Sequence, residues 1–464
     1  MQQFVIRHEN MSRRINHIIS ELKDQYMIED NLRPWIIGFS GGKDSTALLQ
    51  LVWYALEQIP NVDRKREIHV VCNDTLVENP IIQEYVDDIL QKIEQSAVQR
   101  GLPITVEKTI PRLEDSFWVN VVGRGYPVPN NTFRWCTDKM KIKPTSRYII
   151  EQVAENGEAI ILVGTRRSES ATRANTIKKH EIKGKRLTKH PHHANIFVYS
   201  PIKELHLEEV WYIINAMTSP WVADNSALFQ IYADASADDY ECPTMVTDDK
   251  HRSCGQSRFG CWTCTVVKED KSLTAQVKNG KEYLKPLLDL RGNMFDERNI
   301  SENRETTRRN GQEAITKDGQ NQGNYTIEYR IKLLKQILET QKIIQQFDSK
   351  IELIGNSELI AVQVIWRRDL AIPRKNYKEI TKYETVSEIY NKIYHKEMDM
   401  KNLDEKLQKE IDLLKSVCDG ESQDFNLIQE LLGLQKQKAL LNRKRGLKDE
   451  MEQVIEKYLK KEVA

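Results

Sequence analysis

Pro34-Trp35-Ile36-Ile37-Gly38-Phe39-Ser40-Gly41-Gly42-Lys43-Asp44-Ser45-Thr46-Ala47-Leu48-Leu49 decides the fold. Its first half is a short apolar, β-branched run bounded by a proline, the signature of a buried strand. Its second half continues through Leu51 and Val52 with Leu48, Leu51, Val52 and Ala55 at helical spacing. Ser40–Thr46 therefore lies where a strand hands over to a helix. At such a junction free backbone N–H groups and the positive end of the helix dipole make an anion site. Gly41 and Gly42 let the backbone wrap closely around oxygens, Lys43 adds a point charge, and Ser40, Ser45 and Thr46 add hydroxyls.

The loop is not a Walker A loop, which needs four residues between its glycines and a hydroxyl directly after the lysine. Here three residues separate Gly38 from Gly42, and Asp44 follows Lys43. The string instead resembles the pyrophosphate-binding loop of the ATP pyrophosphatase superfamily. That superfamily cuts ATP between its α and β phosphates, and it includes sulfonucleotide reductases that hold a ready-made adenylate.

The chain of 464 residues has room for two or three domains. A formal charge of +1 gives no global polyanion-binding signature, so any nucleic-acid surface is local. No apolar stretch approaches the ~20 residues of a membrane span, and no secretory h-region opens the chain, so a cytoplasmic protein with no membrane partner is expected. Seven cysteines, an odd number, point to a reducing compartment and to metal or catalytic roles rather than disulfides.

Around the loop the pattern alternates. A lead-in helix (1–30) precedes strands at 35–39, 68–72, 104–106, 159–163 and 196–199, with helices at about 80–100 and 142–155 between them. Near-continuous apolar strands separated by helices predict an α/β, doubly wound, parallel five-stranded sheet over 31–235, and the loop's resemblance implies that it is adenine-nucleotide α-hydrolase-like. Ligands of such sheets sit beyond the carboxyl ends of the strands, which gathers Ser40–Thr46, Asp74 and Gly164–Arg173 around one crevice. A Cys-rich segment follows at 236–290, then a polar linker or long loop at 291–326 and a helical region at 327–464. In the last, Ile331, Leu334, Leu338 and Gln341 share one face, and Leu427 to Tyr458 form a second pattern. That pattern packs on its own domain or, as a hairpin or coiled coil, on a partner.

Asp74 closes the second strand, where a carboxylate can hold Mg²⁺ or a nucleotide edge, or simply make a turn. Gly164-Thr165-Arg166-Arg167-Ser168-Glu169-Ser170-Ala171-Thr172-Arg173 resembles the arginine segment of sulfonucleotide reductases, and its guanidinium forks suit phosphate. Residues 164–193 carry nine Lys/Arg against two Glu, a basic flap suited to a nucleic-acid backbone or a solvated loop. Cys136, in Arg134-Trp135-Cys136, resembles a reductase segment as well, although Thr137 stands where the cluster-bearing reductases have a second cysteine. Cys242, Cys254, Cys261 and Cys264 follow, the last two as Cys-x-x-Cys. Four thiolates fit Zn²⁺ or a 4Fe–4S cluster, and a single Cys-x-x-Cys pair favours iron–sulfur. Cys254, Cys261 and Cys264 are expected ligands with Cys136 or Cys242 as the fourth, the remaining thiol being free to carry sulfur. Cys72 and Cys418 read as structural.

Cys254 to Val267, with Asp270-Lys271-Ser272, Pro286–Arg291 and Glu241-Cys242-Pro243, resembles the DndC family. This is the ATP pyrophosphatase component of DNA phosphorothioate modification, and the likeness covers about 30–330. It implies ATP, Mg²⁺ and a 4Fe–4S cluster as cofactors. It also implies DNA, a cysteine desulfurase and other phosphorothioation proteins as partners. The expected chemistry is adenylation of a backbone phosphate, with Lys43, Asp44 and Cys136 as catalytic residues. Sulfonucleotide reductase and tRNA thiolase are the rivals. The reductase carries its nucleophile in a Glu-Cys-Gly-x-His tail, whereas the last cysteine here, Cys418, sits in Val417-Cys418-Asp419-Gly420.

Overall fold

The computed structural model describes residues 2–28, 32–182, 184–191, 193–234, 260–309, 312–371, 383–398, 400 and part of 405–459. Chain contacts divide it into two compact units. The first comprises Met1–Phe117, Val128–Arg298 and Thr340–Leu353; the second comprises Trp118–Pro127, Asn299–Glu339 and Ile354–Ala464.

The first unit is built on a sheet of β1 (Trp35–Gly38), β2 (Ile68–Asn73), β3 (Ile104–Thr109), β4 (Ala159–Leu162), β5 (Leu187–Lys189) and β6 (Ile196–Tyr199). The strand order is β3-β2-β1-β4-β6-β5, parallel except that β5 runs antiparallel to β6. The sheet thus has six strands where the sequence reading counts five. The extra strand, Leu187-Thr188-Lys189, is too short and too polar to carry a periodic signal, and it lies in the stretch read as a basic flap.

Helices of this unit are α1 (Gln2–Tyr26), α2 (Lys43–Glu57), α3 (Pro80–Gln99), α4 (Lys143–Asn156), α5 (Ala171–His180), α6 (Leu207–Ala216), α7 (Ser226–Asp234), α8 (Lys271–Lys278) and α9 (Lys285–Glu297). Strand residues alternate faces. Trp35, Ile37, Val70, Cys72, Ile160 and Leu162 join the cluster formed with α1, α2, α3 and α6. Ile36, Val71, Ala159, Ile161 and Ile196 face Ile149 of α4. Helices on both faces make the doubly wound α/β fold. α2 is buried almost all round, and the lead-in helix is part of the core. Ile15, Ile18, Ile19, Leu22 and Tyr26 are all buried; at about 2 kcal/mol each, α1 contributes on the scale of a whole domain's net stability.

In the second unit, α10 (Ile327–Ile344) contributes its residues up to Glu339, with α11 (Asn356–Ala371) and α12 (Val386–Tyr394). The expected face of α10 is seen: Leu334 and Leu338 are buried. α11 packs on the π-helical turn Val119–Gly123, where Trp366 Nε1 donates to Val122 O at 2.9 Å. Residues 291–297 complete α9. Among residues 304–309 and 312–325 isolated bridges pair Arg304 with Tyr325, Thr307 with Glu313 and Ile315 with Asn321. Leu434, Leu441 and Leu447 of the second apolar pattern lie outside the described residues.

Asp369 anchors this unit. It accepts from Arg309 Nη1 at 3.1 Å, Arg309 Nη2 at 2.9 Å and Arg330 Nη1 at 3.3 Å. Removing one partner of a buried pair strands the other's charge. Asp369→Ala is expected to cost about 3 kcal/mol, read as a lowered urea midpoint; an unchanged midpoint would show that the two arginines find other acceptors.

Candidate functional site

β1 lies between β2 and β4, and the connections leave its two neighbours in opposite directions along the sheet. This is the topological switch point, where α/β sheets open a crevice. Ser40–Thr46 fills its β1 side. Gly41 has φ +77°, a conformation that glycine adopts without strain. Gly42 caps α2 in extended geometry without a side-chain cap, leaving first-turn N–H groups directed out of the helix. The hydroxyls brace the loop from within. Ser45 Oγ donates to Gly42 O at 2.9 Å and accepts from Ser40 N at 3.3 Å. Ser40 Oγ accepts from Gly42 N at 3.4 Å, and Thr46 Oγ1 donates to Gly41 O at 3.5 Å.

Lys43 and Asp44 are buried, at 0% and 1% exposure. Lys43 Nζ lies 3.0 Å from Asp44 Oδ2, and Arg166 Nε donates to Asp44 Oδ1 at 2.5 Å. Two cations on one carboxylate leave a net charge of +1 beneath the amino end of α2, the sign an anion requires. Gly164, at the end of β4, fits against this turn so closely that a Cβ there would stand 3.0 Å from the Asp44 carbonyl carbon and oxygen. Lys43 N donates to the Tyr232 hydroxyl at 3.2 Å, and the Tyr232 ring centroid lies 5.1 Å from Lys43 Nζ.

The other arginines of the β4 exit are ion-paired too. Arg167 binds Glu204 at 2.7 Å and Glu181 at 2.6 Å, and Arg173 binds Glu169 at 3.0 Å. Asp74 accepts from Leu76 N at 2.8 Å and Gln83 Nε2 at 3.3 Å and lies 3.2 Å from Lys108 Nζ, so it closes a turn.

Beyond Asp74 the β2 exit meets the cysteine knuckle. Leu76 takes φ +64°, a rare conformation for a non-glycine residue. Glu78 then bridges antiparallel to Cys261, with Trp262 N donating to Val77 O at 3.0 Å. Thr75 Oγ1 donates to Glu78 Oε1 at 2.7 Å and lies 3.3 Å from Cys261 Sγ. The Cys261 thiol also donates to Glu78 Oε1 at 3.9 Å, so thiol, hydroxyl and carboxyl form one small cluster. Burial, reinforced by the Glu78 carboxylate, pushes the Cys261 thiol well up; burial also raises the Glu78 carboxyl, against the nearby Lys141.

Cys136 is close enough to act electrostatically on Cys261. It caps the π-helical turn Thr137–Ile142, which is held to β2 by Asn73 Nδ2 donating to Met140 O at 3.0 Å and seated by Trp135 stacked on Phe117. Cys264 N closes the knuckle on Cys261 O at 3.1 Å. Its outer side is clamped by Arg291, donating to the carbonyls of Cys264 at 2.9 Å, Lys268 at 2.6 Å and Val267. Arg298 donates to Thr265 O.

Cys242 and Cys254 lie outside the described residues. Among the described residues no three His, Cys, Asp or Glu side chains gather to hold a metal. The donor chemistry present is therefore two thiols that interact electrostatically, Cys136 and Cys261, with Cys264 one turn on. No helix among the described residues is long and apolar enough to cross a membrane. Tyr232, Thr75, Glu78, Lys141 and Arg298 escape the sequence reading, because each acts through a partner far along the chain.

Residues 34–267 match the phosphoadenosine phosphosulfate reductase domain. An uncharacterized protein of Methanocaldococcus jannaschii is 30% identical over 156 residues, 34% of this chain. The chain spans 27% of that relative's length. Among solved structures, the phosphoadenylyl-sulfate reductase of Candida auris in complex with phosphate is 13% identical, with TM-score 0.25 over 43% of this chain and 84% of that one. The U34-tRNA thiolase NcsA of Methanococcus maripaludis, with its [4Fe-4S] cluster, is 13% identical, with TM-score 0.28 over 61% and 79%.

Cys72, buried in β2, tests how closed this sheet edge is. Burial, with Asp74 and Glu78 adding to it, pushes its thiol up to about 12. Only the thiolate is alkylated, so iodoacetamide near pH 8 is expected to leave Cys72 unmodified in the folded protein and to label it after denaturation. Peptide mapping by mass spectrometry reads both; native labelling of Cys72 would show that β2 opens.

Proposed function

The chain belongs to the phosphoadenosine phosphosulfate reductase domain family, and from this premise we propose that it activates a DNA backbone phosphate with ATP and replaces a non-bridging oxygen by sulfur. The observation that carries the reading is the contact of Cys261 with Thr75 just past the end of β2, the strand paired with β1, whose own exit is the anion cradle. In this reading the activating site and a thiol share one edge of one sheet. The Cys254–Val267 and Pro286–Arg291 segments that resemble the DndC family support DNA as the acceptor.

A phosphodiester oxygen is a poor leaving group. In this reading it attacks the α-phosphorus of ATP, and pyrophosphate leaves into the cradle. First-turn N–H groups of α2 and the Lys43–Asp44–Arg166 charge set take up the negative charge that builds on the departing oxygens. The oxygen now bonded to AMP becomes a good leaving group. Persulfide sulfur on one thiol, supplied by a cysteine desulfurase, attacks the DNA phosphorus and AMP departs. A second thiol then attacks the sulfur–sulfur bond, leaving sulfur on phosphorus and a disulfide behind. Cys136 and Cys261 are the pair for these two roles.

Mg²⁺ with the nucleotide would neutralise the phosphates. As the alternative to that thiol pair, Cys254, Cys261 and Cys264 with Cys136 or Cys242 would hold a 4Fe–4S cluster, which would supply an iron-bound place for sulfur instead of a persulfide. Other phosphorothioation proteins and a cytoplasmic setting belong to the same proposal. Sulfonucleotide reduction is the second reading, favoured by the family match itself.

Exchange of labelled pyrophosphate into ATP isolates activation. Lys43→Ala is expected to reduce it at least a hundredfold, the scale of losing a transition-state charge donor. Cys261→Ser with Cys264→Ser is expected to retain it while sulfur in cellular DNA disappears. Mass spectrometry of nuclease-digested DNA and tRNA from cells with and without the protein decides the acceptor. Sulfur in DNA dinucleotides supports the proposal; sulfur confined to tRNA bases, or found in neither, rejects it.

A further inference from the structure

We infer that Tyr232 is the resting occupant of the phosphate position in the α2 cradle and is displaced when an anion binds. The inference rests on the reading that this cradle takes the pyrophosphate end of ATP, and it adds a competing group built into the chain.

The first N–H of α2 belongs to Lys43 and has no acceptor within its own helix. It donates to the Tyr232 hydroxyl at 3.2 Å, where an anion oxygen would otherwise accept. The ring of the same tyrosine stands 5.1 Å from Lys43 Nζ, so one side chain covers both the amide and the ammonium of the residue best placed to hold a phosphate. Tyr232 itself is buried.

The tyrosine belongs to neither strand, loop nor helix of the cradle. It comes from α7, seated on α6 by edge contacts of Trp211 with Tyr232 at 5.2 Å and with Phe229 at 5.8 Å between ring centroids. Withdrawing it leaves the internal bracing of Ser40, Ser45 and Thr46 intact. A phenol oxygen is a neutral acceptor, whereas a phosphate oxygen makes a charge-assisted bond about twice as strong. The nucleotide therefore wins the position, but its apparent affinity is lowered by the fraction of molecules in which Tyr232 occupies it.

Calorimetric titration of the full chain with ATP, for wild type and Tyr232→Phe, reads the competition. Losing one neutral hydrogen bond from the resting state is expected to tighten ATP binding by roughly two- to tenfold. Tryptophan emission gives an independent readout. ATP is expected to shift the wild-type emission, and Trp211→Phe to remove most of that shift. Unchanged or weaker binding by Tyr232→Phe overturns the inference, weaker binding meaning that the hydroxyl is itself a phosphate ligand. So does wild-type binding with no Trp211-dependent shift. If neither ATP nor pyrophosphate binds the wild type, the reading of the cradle fails and the inference falls with it.

Discussion

A lysine ammonium with no access to solvent can stay charged only if something nearby compensates it. Asp44 does so for Lys43, and the same carboxylate draws in Arg166 from the exit of β4. The triad ties the two strands flanking the switch point at the place where they would otherwise splay. It sets how close Gly164 comes to the first turn of α2. It also leaves one positive charge in excess under the helix, so the scaffold of the loop and the sign of its charge come from the same three side chains.

The rest of the sheet edge is arranged with comparable economy. Thr75 turns the Cys261 thiol toward the β2 exit, and Asn73 holds the π-helical turn that carries Cys136. The β4 exit keeps its guanidiniums on carboxylates, Arg167 on Glu181 and Glu204 and Arg173 on Glu169. Any polyanion approaching there meets paired charges and must compete for them, a weaker attraction than a bare basic strip would exert.

Much of this was legible in the sequence because it is local. Each of the apolar runs of β1, β2 and β4 is continuous in sequence and the glycines follow β1 directly, so local pattern reports them. What was hidden is what depends on distance along the chain. Asp44 and Arg166 are 122 residues apart, Lys43 and Tyr232 are 189 apart, and Cys261 meets Thr75 across 186. No spacing rule links such positions. β5 was missed for a different reason: three residues with a lysine among them are too few to show a period, and they pair as an edge strand. The arginines after β4 were visible as charges, but their carboxylate partners were not, so exposed forks were expected where closed pairs are found.

The Arg291 side chain has a wider consequence. Its nitrogens reach the carbonyls of Cys264, Val267 and Lys268, while Arg298 takes that of Thr265. The outer side of the knuckle is therefore held by guanidinium–carbonyl bonds that do not involve the sulfur atoms. Metal-nucleated fingers lose their shape when their thiols are oxidised or stripped. Here the carbonyls of Cys264, Thr265, Val267 and Lys268 keep their arginine partners whatever the state of the two thiols.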